Sequence, residues 1–111
     1  MPRQIGFSQT ISFRSEHIQE IVQLLEEWDE MQASQDIMGY IGTHVLCDRD
    51  DPGHFIIVAE FAEVEPGVSA FDEAQRNNDR PQTQEWARRM SELIDGEPTW
   101  GHYDQIYRTD P

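Results

Sequence analysis

The chain has 111 residues, with 22 acidic side chains against 8 basic ones and a formal net charge of −14. That balance excludes DNA, RNA and an anionic membrane surface as partners, because each requires a basic footprint. A lone cysteine, Cys47, excludes an intramolecular disulfide, and no apolar run approaches the roughly 20 residues that span a bilayer. All the basic residues are arginine. The opening MPRQIGFSQT lacks the charged-then-apolar pattern of a signal peptide. The expectation is one cytoplasmic domain over residues 1–111, large enough to bury a core without staples.

Ile5, Phe7, Gln9, Ile11 and Phe13 alternate with Gly6, Ser8, Thr10 and Ser12, which predicts a first strand with one apolar and one small, polar face. Gln9 is the polar member of the apolar row. On a face that meets a core, it either points into a cavity or hydrogen-bonds at a rim. Ser15 caps a helix, in which Ile18, Ile21, Val22, Leu25 and Trp28 form an apolar stripe. His17, in its first turn, reads as exposed. The stretch QASQDIMG ends that helix.

Residues 40–48 (YIGTHVLCD) read as a second strand, DRDDPGH as a hairpin turn, and residues 54–61 (HFIIVAEF) as a third strand, apolar on both faces. Cys47 reads as a small buried apolar residue. His44 and His54 lie on neighbouring strands and can approach each other across the hairpin. Two histidines without a recognisable third ligand make no metal site.

Pro66-Gly67 precedes a short helix over 68–76 with Ala70, Phe71 and Ala74 as its apolar positions. Asn77-Asn78 has the composition of a turn. Asp79 and Gln82 have the spacing of a capping pair, and Pro81 suits the first turn of the next helix. Trp86, Met90, Leu93 and Ile94 fall on one face of that helix, expected to run to Asp95. Asp95-Gly96 supplies a left-handed stop, and Pro98 prevents continuation. Residues 99–107 form a last strand, in which Asp104 is expected to pair with Arg88 or Arg89.

The order β-α-β-β-α-α-β, with the first and third strands central, fits an α+β ferredoxin-like sandwich: a four-stranded antiparallel sheet with helices on one face. Ile56 and Val58 would then lie on the uncovered face, so two subunits are expected to pair through it into a dimeric α+β barrel. At roughly 25 cal/mol per Å², burying ~500 Å² of apolar area per subunit contributes about 12 kcal/mol before association costs. The homodimer is the expected state.

Phe71 and Ala74, the run NNDRPQTQEWARRM, Leu93, DGEPTW and Asp104 resemble the antibiotic-biosynthesis-monooxygenase-like (ABM-like) domains of the dimeric α+β barrel superfamily. The resemblance extends over residues 5–108, because the element order matches too. It implies a ligand cavity in each subunit, between sheet and helices, that takes an apolar or aromatic small molecule. It also implies cofactor-independent oxygenation of a polyketide-type phenol or anthrone, whose carbanion reduces O2. That chemistry needs a base and hydrogen-bond donors aimed at a developing oxyanion. The haem-degrading branch carries an Asn on the first strand and a Trp and a His on the helical side. Here Gln9 stands on the first strand, the helix around Phe71 has no Trp, and residues 81–95 contain no His. No cofactor and no metal are therefore expected.

His102 and then His44 are the candidate acid–base residues, since imidazole titrates near neutrality. Gln9, Phe71, Asn77, Trp86 and Tyr103 are the candidate ligand contacts. Trp86 also fits a core aromatic, and Asn77 a turn residue. His102 and Tyr103 point to opposite faces of their strand, so one cavity takes one of them. A non-catalytic binding or accessory protein, and an isomerase or cyclase on the same barrel, are the competing functions.

Overall fold

The computed structural model describes residues 6–33, 40–62, 70–107 and 109. Its elements are β1 (Gly6–Arg14), α1 (Ile18–Ala33), β2 (Tyr40–Cys47), β3 (His54–Ala62), α2 (Ala70–Asn78), α3 (Pro81–Ser91) and β4 (Asp95–Gln105). The strands form one antiparallel sheet in the order β2-β3-β1-β4, with β1 and β3 central and the helices packed on one face. This is the ferredoxin-like α+β arrangement expected from the element order.

Register decides which side chains meet the helices. Phe7 lies opposite Phe61, Gln9 opposite Ala59, Ile11 opposite Ile57 and Phe13 opposite Phe55. Directly opposed residues project to the same side of an antiparallel pair, so these form one helix-facing surface. Ile11, Phe13, Phe55 and Ile57 bury against Ile21, Leu24 and Trp28 of α1 and Trp86 and Met90 of α3, while Phe7 and Phe61 pack with Ala74 of α2. Each large apolar side chain fully buried in this way contributes roughly 1.5–3 kcal/mol.

Several local expectations are corrected. The buried stripe of α1 runs Ile21, Leu24, Trp28, whereas Val22 is exposed, because only a narrow arc of the helix meets the sheet. Asn77 and Asn78 are the last residues of α2 rather than a turn. The break therefore moves to Asp79 and Arg80, and Arg80 is the extended N-cap of α3, with no side-chain capping bond. Pro81 does occupy the first turn. Helix α3 stops at Ser91, and Leu93 and Ile94 are half-buried in the connection that follows. Gly96 takes a φ of +72°, the left-handed conformation expected of it, but already within β4. Pro98 also lies inside β4, which tolerates it because β4 is an edge strand.

Cys47 is exposed at the end of the other edge strand. Arg88 is bonded to Glu85 and Glu92, and Arg89 to Glu27. His44 and His54 do not meet: His44 lies opposite Val58, four positions along β3 from His54. The Pro66-Gly67 turn, Ile5, Val68 and residues 34–39 lie outside the described residues.

Candidate functional site

Between the sheet and the helices lies a cavity of about 350 Å³. Its floor is the helix-facing surface of the sheet, with Gln9 and Ile11 of β1, Ile57, Ala59 and Phe61 of β3, Thr43 of β2, and Trp100 and His102 of β4. Its roof is Leu25 and Trp28 of α1, Asn77 and Asn78 of α2, and Thr83 and Trp86 of α3. The lining is mostly apolar with a few convergent polar groups, as small-molecule sites generally are. Gln84, Trp100 and His102 are the exposed members and mark the mouth.

The polar groups of the roof are tied to one another. Trp28 Nε1 donates to Thr83 Oγ1 at 3.1 Å, and that hydroxyl donates onward to Asn77 Oδ1 at 3.4 Å. One buried chain thus joins all three helices. A second tie links roof to floor: Asn78 Nδ2 donates to Gln9 Oε1 at 2.8 Å, and Gln9 Nε2 returns a bond to Asn78 Oδ1 at 3.4 Å. Paired amides of this kind hold α2 at a fixed height over β1 and remove the desolvation penalty of burying Gln9. Of the two roles open to Gln9, it takes both: it lines the cavity and is bonded at its edge.

Trp86 stands apart. Its side chain is buried, it lines the cavity, and its indole N–H has no partner among the described residues. A buried donor left in that state costs about 1–3 kcal/mol. Helix α3 places it there because Thr83, Trp86 and Met90 form its buried stripe.

His102 sits directly across from Gln9 on the neighbouring strand, hence on the cavity side. Its ring is stacked on Phe7 at 6.0 Å between centroids, with the planes 27° apart. Among the described residues, no carboxylate lines the cavity. The phenol of Tyr40 lies beside it, bonded to Thr43 Oγ1 at 2.6 Å, and burial pushes its pKa above the ordinary value.

Of the residues singled out in the sequence, the structure therefore gathers Gln9, Asn77, Trp86 and His102 around one cavity. It does not bring the other three there. Phe71 packs edge-on against Phe7 at 5.1 Å and stays two-fifths exposed, outside the lining. His44 lies on the opposite face of the sheet, 3.8 Å from Glu60. Tyr103 also lies there, exposed, with its ring across the space left by the missing side chain of Gly101. Their strand positions give the reason: His44 pairs with Val58 and Tyr103 with Ser8, both in the other alternation set. Sequence reasoning missed Thr83, Asn78 and Trp100. Thr83 could have been found, since it stands three residues before Trp86 on the same helical stripe.

A four-stranded antiparallel sheet with helices on one face and a ligand-sized cavity between them defines a ferredoxin-like α+β domain. No family model matches the sequence, and none of the curated proteins compared with it matches either. Solved structures do match. SnoaB, a cofactor-independent oxygenase from Streptomyces nogalater, superposes with a TM-score of 0.70 at 16% identity, covering 96% of this chain and 98% of that one. A Caulobacter crescentus protein, provisionally assigned as an antibiotic biosynthesis monooxygenase, gives 0.72 at 9% identity over 96% and 94%. A conserved protein from Methanosarcina mazei gives 0.72 at 15% identity over 92% and 94%. The chain shares the fold of these proteins.

Proposed function

We propose that this chain binds an aromatic, polyketide-type molecule in the cavity and oxygenates it without a cofactor. The observation that carries this reading is the buried indole N–H of Trp86, without a partner among the described residues, in a mostly apolar lining. Such a donor is satisfied by a ligand oxygen, and it stabilises that oxygen more as negative charge grows on it. Likeness of fold to SnoaB supports the reaction class.

In the proposed reaction, an acidic ring CH2 gives up a proton to His102 at the mouth, and the resulting enolate oxygen faces Trp86. The carbanion passes electrons to O2 and a carbon–oxygen bond forms. The hydroperoxide then loses water to leave a carbonyl, so CH2 and O2 become C=O and H2O. No external reductant is needed.

The working unit is proposed to be a homodimer with one cavity per subunit, paired through the uncovered sheet face. Leu46 and Tyr103, both about half exposed there, and the half-buried Ile56 and Val58 support that pairing.

Oxygen uptake with an anthrone tests the reading. One O2 is expected per quinone formed, with a loss of about 100-fold or more in His102→Ala and a smaller loss in Trp86→Phe. Uptake equal in wild type and both variants would sink the oxygenase. A specific observation favours the second reading, ligand binding without chemistry: His102 is exposed, and among the described residues no carboxylate lines the cavity to orient it. Ligand retention in native mass spectrometry, lost in Trp86→Phe and without O2 uptake, would establish that alternative.

A further inference from the structure

On the sheet face away from the cavity, Ser12, His54 and Asp48 form a continuous hydrogen-bonded line. Ser12 Oγ is 2.6 Å from His54 Nε2, and His54 Nδ1 is 3.1 Å from Asp48 Oδ2. The three come from different elements. Ser12 belongs to β1, His54 opens β3, and Asp48 follows β2 at the start of the hairpin turn. Ser12 lies opposite Ile56, so His54, two residues earlier, shares its face and reaches it diagonally.

The turn fixes the line. Asp48 Oδ1 accepts the Asp50 backbone N–H at 2.9 Å, leaving Oδ2 for the imidazole. The Asp48 backbone N–H donates to the His54 carbonyl at 3.0 Å, and the His54 N–H donates to the Asp51 carbonyl at 2.9 Å. An ionised carboxylate beside Nδ1 requires the proton on that nitrogen. In the neutral imidazole Nε2 is then the acceptor, and the Ser12 hydroxyl the donor. The bonds to His54 and Asp50 also hold the Asp48 carboxyl below the usual carboxylate range, which favours its ionised form.

This is the connectivity of a serine nucleophile, its general base and the group that orients the base. We propose that Ser12 is a nucleophile that takes acyl or phosphonyl groups from small activated esters. As Ser12 Oγ attacks, its proton passes to His54 Nε2. The bond from the acyl carbon to the leaving group breaks, and His54 returns the proton to the departing alcohol. Water later releases the acid by the same route.

The neighbours on that face set the rate. Thr10 and Arg14 flank Ser12 along β1, and Thr99 lies across on β4. The guanidinium of Arg14 is bonded to both carboxylate oxygens of Asp51, so it is not offered to an oxyanion. Acylation without a built oxyanion hole forgoes much of the usual acceleration. The expected behaviour is a stoichiometric burst with slow turnover. Arg14 and Asp51 are each about half exposed. Ser12 shares its row with Ile56 and Leu46, so the proposed pairing of subunits reaches the inner side of this line, and an ester reaches it from the hairpin end, where Arg14 and Asp51 lie.

The test is labelling of the full chain with a fluorophosphonate, followed by intact mass and peptide mapping. One adduct per chain at Ser12 is expected, absent in Ser12→Ala and formed about 100-fold more slowly in His54→Gln. Asp48→Asn preserves side-chain shape and should slow labelling at least tenfold, so it gives the reading even if the histidine variant fails to fold. A burst of one equivalent with p-nitrophenyl acetate should follow the same order. No adduct at Ser12, or equal rates in wild type and Asp48→Asn, overturns the proposal and leaves the line as a pin between β1 and the hairpin.

Discussion

On the helix-covered face of the sheet, the polar groups reach upward and pair with the helices: Gln9 with Asn78 across the cavity edge, and Thr83 with Trp28 and Asn77 in the roof. On the opposite face they pair sideways, along the sheet. Ser12 meets His54, and Gln105 donates to Ser8 Oγ at 3.0 Å and Glu60 Oε2 at 3.3 Å. That lateral pairing satisfies the polar half of the open face without covering it. The half formed by β2 and β3 keeps Leu46, Ile56 and Val58 with no helix above them. Among the described residues, the covered face leaves one buried indole N–H without a partner, whereas the open face pairs polar groups and leaves apolar ones uncovered. Two kinds of unsatisfied surface follow: a cavity the size of a small molecule, and a sheet face that a second subunit is proposed to cover.

The comparison breaks first if the covered face is not what holds the fold. Phe7 is 1% exposed at the centre of that face, between Phe61 and Phe71. Phe7→Ala should cost about 3–5 kcal/mol in denaturant unfolding, as lost burial plus the cavity left behind. A loss below about 1 kcal/mol would place the stabilising core elsewhere.

The open face should respond in association rather than in folding. Val58→Glu puts a carboxylate where a second copy is proposed to pack. A charge buried there without a partner should weaken the dimer at least 100-fold, or about 2.7 kcal/mol, in sedimentation across a concentration series. A chain that is monomeric from the start, or a variant that dimerises like wild type, would remove the subunit from this face.

How much of this difference the sequence carried depends on the kind of information each face needs. Period-two alternation in Phe7, Gln9, Ile11 and Phe13 separates the faces of β1 without any tertiary contact, and the double-sided apolar run of β3 marks it as central. The cavity was legible only in part. Gln9 stood out because it interrupts an apolar row, and Trp86 because it lies on a helical stripe. His44 and Tyr103 were misplaced because single-strand periodicity gives alternation but not which set faces the helices; that is fixed by register to β3 and β1. Asn77 and Asn78 were read as a turn because their propensity is weak information beside the tertiary bonds to Thr83 and Gln9 that extend α2. The Ser12–His54–Asp48 line joins residues 42 and 6 positions apart. No local pattern announces it.

A finer test bears on the roof. Thr83→Val keeps the shape while removing the acceptor for Trp28 Nε1 and the donor to Asn77. It should cost about 1–3 kcal/mol, because the indole N–H is left buried and unpaired. A loss near zero would mean that water replaces the hydroxyl in the roof.

The smallest effect separates the faces by acid. Asp48 is held below its ordinary value of 3.8 chiefly by the hydrogen bond to His54 and then by the Asp50 N–H, and Asp51 chiefly by the bond to Arg14. A carboxyl whose folded pKa lies below its unfolded one binds its proton more readily when unfolded. Its contribution to stability is therefore fully present above the unfolded value near 3.8, and is lost as pH falls through the lower folded value. The covered side has such a group in Glu85 of α3, held low chiefly by its bond to Arg88, but that pair lies on the solvent side of one helix, so its loss leaves the packing of α3 on the sheet in place. Between about pH 4 and pH 2, amide exchange should therefore rise first in the 48–54 turn, while the amides of α1 and α3 around Trp28 and Trp86 keep their protection. Asp48→Asn with Asp51→Asn should flatten that response in the turn. If both regions open together in wild type, the two faces share one cooperative unit, and the division between them concerns chemistry alone.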